Sequence, residues 1–276
     1  MALLDPALCD LLHMFLRAHM PLLPEGIDLT QLTTILDVGC GQQQWGKDLC
    51  QVLAHSANRR WERCGIIEGI ERDEEIGRQT TRPCRASRGK VIARVGDMYH
   101  LPKEFIRRYD LVHLRCLSPW VPDASWPDLL RECARVCKSG GWVVWIEPAP
   151  PVRTERTPGW NQWMAWIEQA MQRLGGSPHI TGRMEALFRQ IGAWKQVGAS
   201  VTSIPLRTAS SRQGSVLARE MQRLIQPFTL LYPYLLAANV ATPEVLDKTY
   251  RDLHGELAHR QLETWWHWYT VWGRKR

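Results

Sequence analysis

Thr34-Ile35-Leu36-Asp37-Val38-Gly39-Cys40-Gly41 reads as a buried strand that runs into a glycine turn. Ile35, Leu36 and Val38 form a short apolar run bounded by turn signals, while Gly39 and Gly41 allow positive φ and close approach of a ligand to the backbone. Helical spacing follows from Gln42 to Ala54. A strand, a glycine turn and a helix bring the free N–H groups of a helix N-terminus to the carboxyl end of a strand, the arrangement of a nucleotide-type site. An ordinary tight turn in an α/β core is the alternative at this point, and the spacing downstream must separate the two.

Downstream, strands and helices alternate. A second strand spans Cys64 to Ile70 and ends in Glu71, after a polar loop from His55 to Arg63. A third, Val91 to Val95, runs into Gly96-Asp97-Met98, and a fourth, Asp110 to Leu114, is followed by Arg115. The helix Trp126 to Lys138 closes at Ser139-Gly140-Gly141, and a fifth strand, Trp142 to Ile146, ends in Glu147-Pro148. Five strands alternating with helices predict a parallel, doubly wound sheet of α/β class, with ligands at the strands' carboxyl ends. Asp37, Glu71, Asp97, Arg115 and Glu147 all fall at those ends.

The ligand follows from charge. A dinucleotide fingerprint wants a third glycine where Gln44 stands, and a pyrophosphate would be repelled by Asp37. Gly41 to Glu71 spans 30 positions, longer than the ~20 of the dinucleotide version. S-adenosyl-L-methionine (SAM) carries no phosphate, and its sulfonium and ammonium are cations that suit a neighbouring acid. Glu71 can accept from both ribose hydroxyls, Asp97 from an adenine amino group, and Met98 can cover a ring face through its polarizable sulfur.

Leu36-Asp37-Val38-Gly39-Cys40-Gly41, Gly69-Ile70-Glu71, Gly96-Asp97-Met98, Tyr109-Asp110-Leu111-Val112 and the run Leu130 to Gly141 resemble, in order, the motifs of class I SAM-dependent methyltransferases. The nearest subgroup is the one that includes ubiquinone/menaquinone C-methyltransferases and small-molecule natural-product enzymes. This resemblance, which covers about Thr33 to Glu147, implies a Rossmann-like seven-stranded sheet with an antiparallel last strand, and SAM as cofactor. It implies that Asp37, Gly39 and Gly41 hold the methionine end, Glu71 the ribose, and Asp97 and Met98 the adenine, with Cys40 and Arg72 also among the cofactor-binding residues. Arg115 would lie near the methionine end and the acceptor. Gln42 and Gln43 depart from the pattern, standing where small residues usually follow the first motif. The Asn/Asp-Pro-Pro-aromatic signature of amino methyltransferases is absent, with only a partial echo in Ser118-Pro119-Trp120.

The remaining segments frame this domain. Asp5-Pro6 starts a helix with Leu8, Leu11, Leu12, Phe15 and Leu16 on one face, so residues 1–30 are expected as a helical lid or as packing on the core. The SAM-binding domain is assigned to 31–206 and 264–276, with Trp194 to Leu206 as sixth strand and His267 to Trp272 as seventh. Residues 207–263 form a helical cap insertion, with helices over Ser215–Ile225, Phe228–Ala238 and Pro243–Leu262. The cap and an amphipathic helix carrying Trp160, Trp163 and Trp166 would wall an acceptor pocket; extra core or a homodimer face is the alternative.

Composition bounds the rest. With 276 residues, 45% hydrophobic, the chain supports one sizeable core and an annex. No apolar run reaches the ~18–20 residues needed to span a bilayer, and cytoplasmic is the default location. Eight cysteines show no CxxC pair and no metal spacing, so they read as reduced apolar residues, with no metal site. The net charge of +7 is scattered rather than gathered in a stripe, which argues against nucleic acid as partner. The expected acceptor is a small, largely apolar or aromatic metabolite, methylated on carbon or oxygen. An RNA methyltransferase and a SAM-binding protein without transfer activity are the rivals. Among His113, His179, His254, Tyr232, Tyr234 and Glu147 as bases, Glu147 and His254 are favoured, and His113 reads as a buried strand histidine.

Overall fold

A computed structural model describes residues 6–56, 58–74, 89–207, 231–258 and 263–276. Seven strands form one sheet: β1 (Thr34–Val38), β2 (Ile66–Glu71), β3 (Lys90–Val95), β4 (Tyr109–Arg115), β5 (Cys137–Pro148), β6 (Trp194–Arg207) and β7 (Glu263–Lys275). Their spatial order is β3-β2-β1-β4-β5-β7-β6. β1 to β5 pair in parallel, and β7 runs antiparallel to both β5 and β6. The expected antiparallel last strand is therefore present, inserted one place in from the edge.

The two faces of the sheet carry separate cores. Period-2 alternation sends Ile35, Leu111, Val144 and Ile146 to one face, where α1 (Pro6–His19) and α2 (Gln44–Ala54) pack, joined by α5 (Pro158–Arg173). Leu36, Val38, Val112, Val143 and Trp145 point to the other, against α4 (Trp126–Val136) and α6 (Met184–Ile191). Every residue of β1 but Thr34 is buried, as a central parallel strand covered on both faces requires.

Several boundaries differ from the sequence expectation for physical reasons. The expected polar loop before β2 contains the short helix α3 (Arg59–Cys64), whose N-cap Asn58 accepts from the Trp61 N–H at 2.9 Å. That helix buries Trp61 completely and delays β2 to Ile66. Ser139-Gly140-Gly141, expected as a helix stop, lies inside β5: the register shifts between Tyr109 and Leu111 of β4, and Gly140 takes φ 77°. Helix α6, unforeseen, buries Met184, Leu187 and Phe188. Of the expected insertion helices, Ser215–Ile225 lies outside the described residues, while α7 (Tyr232–Ala237) and α8 (Pro243–Ala258) occupy parts of the other two. α8 packs behind α5, where Glu256 caps the first turn by accepting from Gly159 N at 2.7 Å and Trp160 N at 3.0 Å. Among the described residues, no helix is long and apolar enough to cross a membrane, no disulfide forms, and no cluster of metal ligands is found.

Candidate active site at the carboxyl edge of the sheet

The glycine turn is held by the neighbouring strand. Gly39 and Cys40 donate their N–H groups to the Ile70 carbonyl at 2.8 and 3.1 Å, so the end of β2 fixes the turn after β1. Gly39 sits at φ 68°, and a Cβ added there would lie 2.4 Å from Leu117 Cδ2. Gly41 is also left-handed, at φ 49°. Gln43 then takes φ 59° with its side chain buried, closing by a non-glycine residue a turn that glycine fills at less strain. The substitution noted in the sequence thus leaves the turn intact.

Acidic groups at the ends of β2 and β3 are oriented by backbone donors, and the one in β1 by a histidine. Glu71 Oε2 accepts from Gly41 N at 3.0 Å, and Oε1 from Arg72 N at 2.9 Å and Asp73 N at 3.1 Å. Asp97 accepts from Tyr99 N at 3.0 Å and pairs with His100 Nδ1 at 2.8 Å. Asp37 is buried and pairs with His113 Nδ1 at 2.8 Å. The His113 ring stacks on Trp45 at 3.6 Å, and burial lowers its pKa below the ordinary value, so the ring is neutral and donates to Asp37. Cys40 is likewise neutral, its thiol pushed up by burial and by the nearby charges of Asp37 and Glu71.

Past β4 the chain is steered by Glu147. Its carboxylate, fully buried, accepts from Leu117 N at 2.8 Å, Ser118 N at 3.1 Å and Trp145 Nε1 at 3.1 Å. Desolvation pushes its pKa up to about 7 against those donors and the Ser118 side chain. Leu117, so placed, forms the wall against which Gly39 packs.

These groups open onto one cavity of about 690 Å³, within the ~300–1,000 Å³ of small-molecule sites. Asp37, Gly39, Cys40, Gly41, Glu71, Arg72, Asp97, Met98 and Arg115 all line it. Glu147 and His254 do not. Glu147 is spent on orienting the Leu117-Ser118 backbone, and His254 is exposed on α8, packed on Tyr250 at 4.4 Å between ring centroids. The opposite wall consists of Pro148 to Pro151, Trp120, Trp266 and one face of α5: Met164, Ile167, Glu168 and Met171. Of the two readings of Trp160, Trp163 and Trp166, acceptor wall or extra core, the structure has the core, while the helix that carries them lines the cavity with its other face. Spacing i, i+3, i+4, i+7 was the available signal for the true wall, masked by the more apolar tryptophan face. Leu231 is the sole lining residue from the described part of 207–263, and Cys9, Asp10, Leu12 and His13 of α1 complete the enclosure.

A sequence profile described as a methyltransferase domain matches residues 4–193. The chain belongs to this methyltransferase family. Among curated protein sequences none matches this methyltransferase. Solved structures share its fold at low identity. A SAM-dependent methyltransferase of Archaeoglobus fulgidus superposes with TM-score 0.51 at 14% identity, covering 96% of this chain and 94% of that one. Phosphoethanolamine N-methyltransferase 2 of Haemonchus contortus, in complex with S-adenosyl-L-methionine, gives 0.51 at 14%, covering 97% and 53%. Geranyl diphosphate methyltransferase, in complex with its diphosphate and sinefungin, gives 0.50 at 14%, covering 97% and 78%.

The cofactor of this methyltransferase is SAM, and the site's own residues fit it. Gly39 lines the cavity with bare backbone, and a Cβ there would collide with Leu117 of the same lining. Glu71 keeps a lone-pair position on Oε2 beyond its three backbone donors. Six carboxylates line the cavity against two arginines among the described residues, a balance that favours a ligand of net positive charge.

Proposed function

We propose that this methyltransferase acts on a small, largely apolar or aromatic metabolite, at carbon or oxygen. The observation that carries the reading is the continuity of the cavity: the glycine turn and the acidic strand ends share it with an apolar wall of proline, methionine and tryptophan. Bound SAM supplies a methyl group on a sulfonium, already activated for transfer. What remains for the protein is to hold the acceptor in line and exclude water, and positioning alone is worth ~7–11 kcal/mol. Asp37, Gly39 and Gly41 serve the methionine end, Glu71 the ribose, and Asp97 with Met98 the adenine. On the acceptor side, Glu168 is the polar group of the apolar wall, held by Arg153 at 3.1 Å and His179 at 3.6 Å. It is placed to take the hydrogen of an acceptor hydroxyl. The acidic lining weighs against RNA, whose phosphates it would repel.

Calorimetric titration with SAM, followed by labelled-methyl transfer to a panel of phenolic and other apolar acceptors and to RNA, tests the reading. Micromolar-range SAM binding, weakened at least tenfold by Asp37→Ala or Glu71→Ala, and label on a small acceptor are expected. Folded protein with no detectable SAM binding would overturn it. Label on RNA with a steep salt dependence would favour the first rival, and binding without turnover across the panel the non-catalytic one.

A further inference from the structure

Helix α1 closes one side of the cavity, and one histidine ties it there. His13 is 6% exposed. Its Nδ1 lies 3.1 Å from Arg115 Nη2, and its Nε2 lies 3.2 Å from Asp48 Oδ2 of α2. A guanidinium only donates, so Nδ1 must be the bare nitrogen; Nε2 then carries the hydrogen that Asp48 accepts. A single neutral tautomer satisfies both contacts. An imidazolium would aim an N–H at the guanidinium and lose the acceptor that Arg115 uses.

The charged groups facing the ring are Arg115 from β4, Asp48 from α2 and Arg17 from α1, the last bound to Asp48 at 2.8 Å. Burial and then Arg115 push the ring's pKa below its ordinary 6.5, with Asp48 opposing them in part. The chain just beyond the helix has its own anchor, since Trp45 Nε1 donates to the Leu22 carbonyl at 3.1 Å. The helix also keeps its own hold beyond His13, with Phe15 and Leu16 buried in the core and Arg17 on Asp48, so loss of the His13 contacts frees its first turns while the rest stays anchored.

We propose that His13 is a positioning residue for cofactor binding: as the neutral Nε2–H tautomer it holds Arg115 at the cavity and pins the first turns of α1 over it, and protonation releases Arg115 and loosens those turns. The inference concerns retention of the cofactor and holds whichever acceptor is methylated. A ring that docks only when neutral binds fewer protons docked than free. The penalty is therefore absent well above pH 6.5 and grows as pH falls through that value.

The test is SAM affinity by calorimetry at about pH 7.5 and about pH 5.5, for the wild type and His13→Gln. Glutamine offers a carbonyl to Arg115 and an amide hydrogen to Asp48 but cannot ionise. The wild type is expected to lose up to about tenfold in affinity over this range, the effect of one linked proton, and His13→Gln less than about twofold. Titrations elsewhere in the site are common to both proteins and cancel in the comparison. Equal pH slopes would overturn the proposal. The wild type alone gives a second readout that needs no variant: amide exchange across Pro6–His19, corrected for its intrinsic pH dependence, should rise at the lower pH and be suppressed by SAM. Unchanged protection would likewise overturn it. Absence of SAM binding at either pH by the folded wild type would instead strike at the cofactor assignment itself.

Discussion

The two halves of the cavity are built from different materials. On the side proposed for the cofactor, most polar atoms are set by main-chain groups, Asp37 on His113 being the exception: Gly41, Arg72 and Asp73 N–H groups orient Glu71, and Leu117 and Ser118 N–H groups are locked by Glu147. On the side proposed for the acceptor, the wall is a collection of side chains from the Pro148–Pro151 segment, α5, Leu231 and Trp266. Backbone recognition tolerates little change at a few positions and much change elsewhere. A side-chain wall tolerates single substitutions but changes its preference with each, which suits a scaffold that keeps one donor and varies its acceptor.

That contrast can be broken most directly at Gly39. An alanine there meets Leu117 Cδ2 at 2.4 Å and must hold φ 68°; a backbone outlier alone costs about 1–3 kcal/mol. SAM affinity measured by calorimetry should fall at least ~100-fold while the protein stays folded by circular dichroism. Retained affinity would mean the turn is not a backbone cradle.

Glu147→Gln comes next. Three N–H groups donate to the carboxylate, so the amide NH₂ of the variant faces one of them and about 1–3 kcal/mol of stability is lost in urea unfolding. The pH dependence has a definite sign. In the folded protein the carboxyl is pushed up to about 7 from its ordinary 4.5, so the native state holds a proton that the unfolded chain has released. Its contribution to stability therefore falls as pH rises through that window, and the variant lacks this component.

Met171→Trp sharpens the other half. Bulk added to the α5 wall should raise the acceptor KM roughly tenfold and leave SAM affinity within about twofold. Equal effects on both ligands would show that the halves are not separable. The smallest expected effect is His254→Ala, within about 0.5 kcal/mol of stability and without change in turnover, since that ring is exposed and off the cavity.

The same division explains what could be read from the chain. Local signals sufficed for β1 through β4 and for the residues at their carboxyl ends, because each strand delivers its terminal acid or glycine to the same edge by topology alone. The apolar wall proposed for the acceptor required knowing which face of α5 turns inward. Its tryptophans are the more apolar face, and burial in the core, with Trp163 against Tyr250 of α8, claimed them, leaving Met164, Ile167, Glu168 and Met171 to the cavity. Glu147 was legible as a carboxylate at a strand end, yet its partners lie about one helix and one loop upstream in sequence, so its positional role was not. His13 had no local signature, being defined by partners on α2 and β4.

The place of β7 bears on how the molecule is assembled. Because it lies between β5 and β6, the strand made before it cannot join the sheet except through it. During synthesis β5 is a bare edge, and β6 an unpaired ribbon, until the helices α7 and α8 and then β7 have left the ribosome. Such late, long-range pairing is slow and leaves adhesive strand edges exposed. Chains interrupted before Glu263 would carry a complete glycine turn and yet be prone to aggregate.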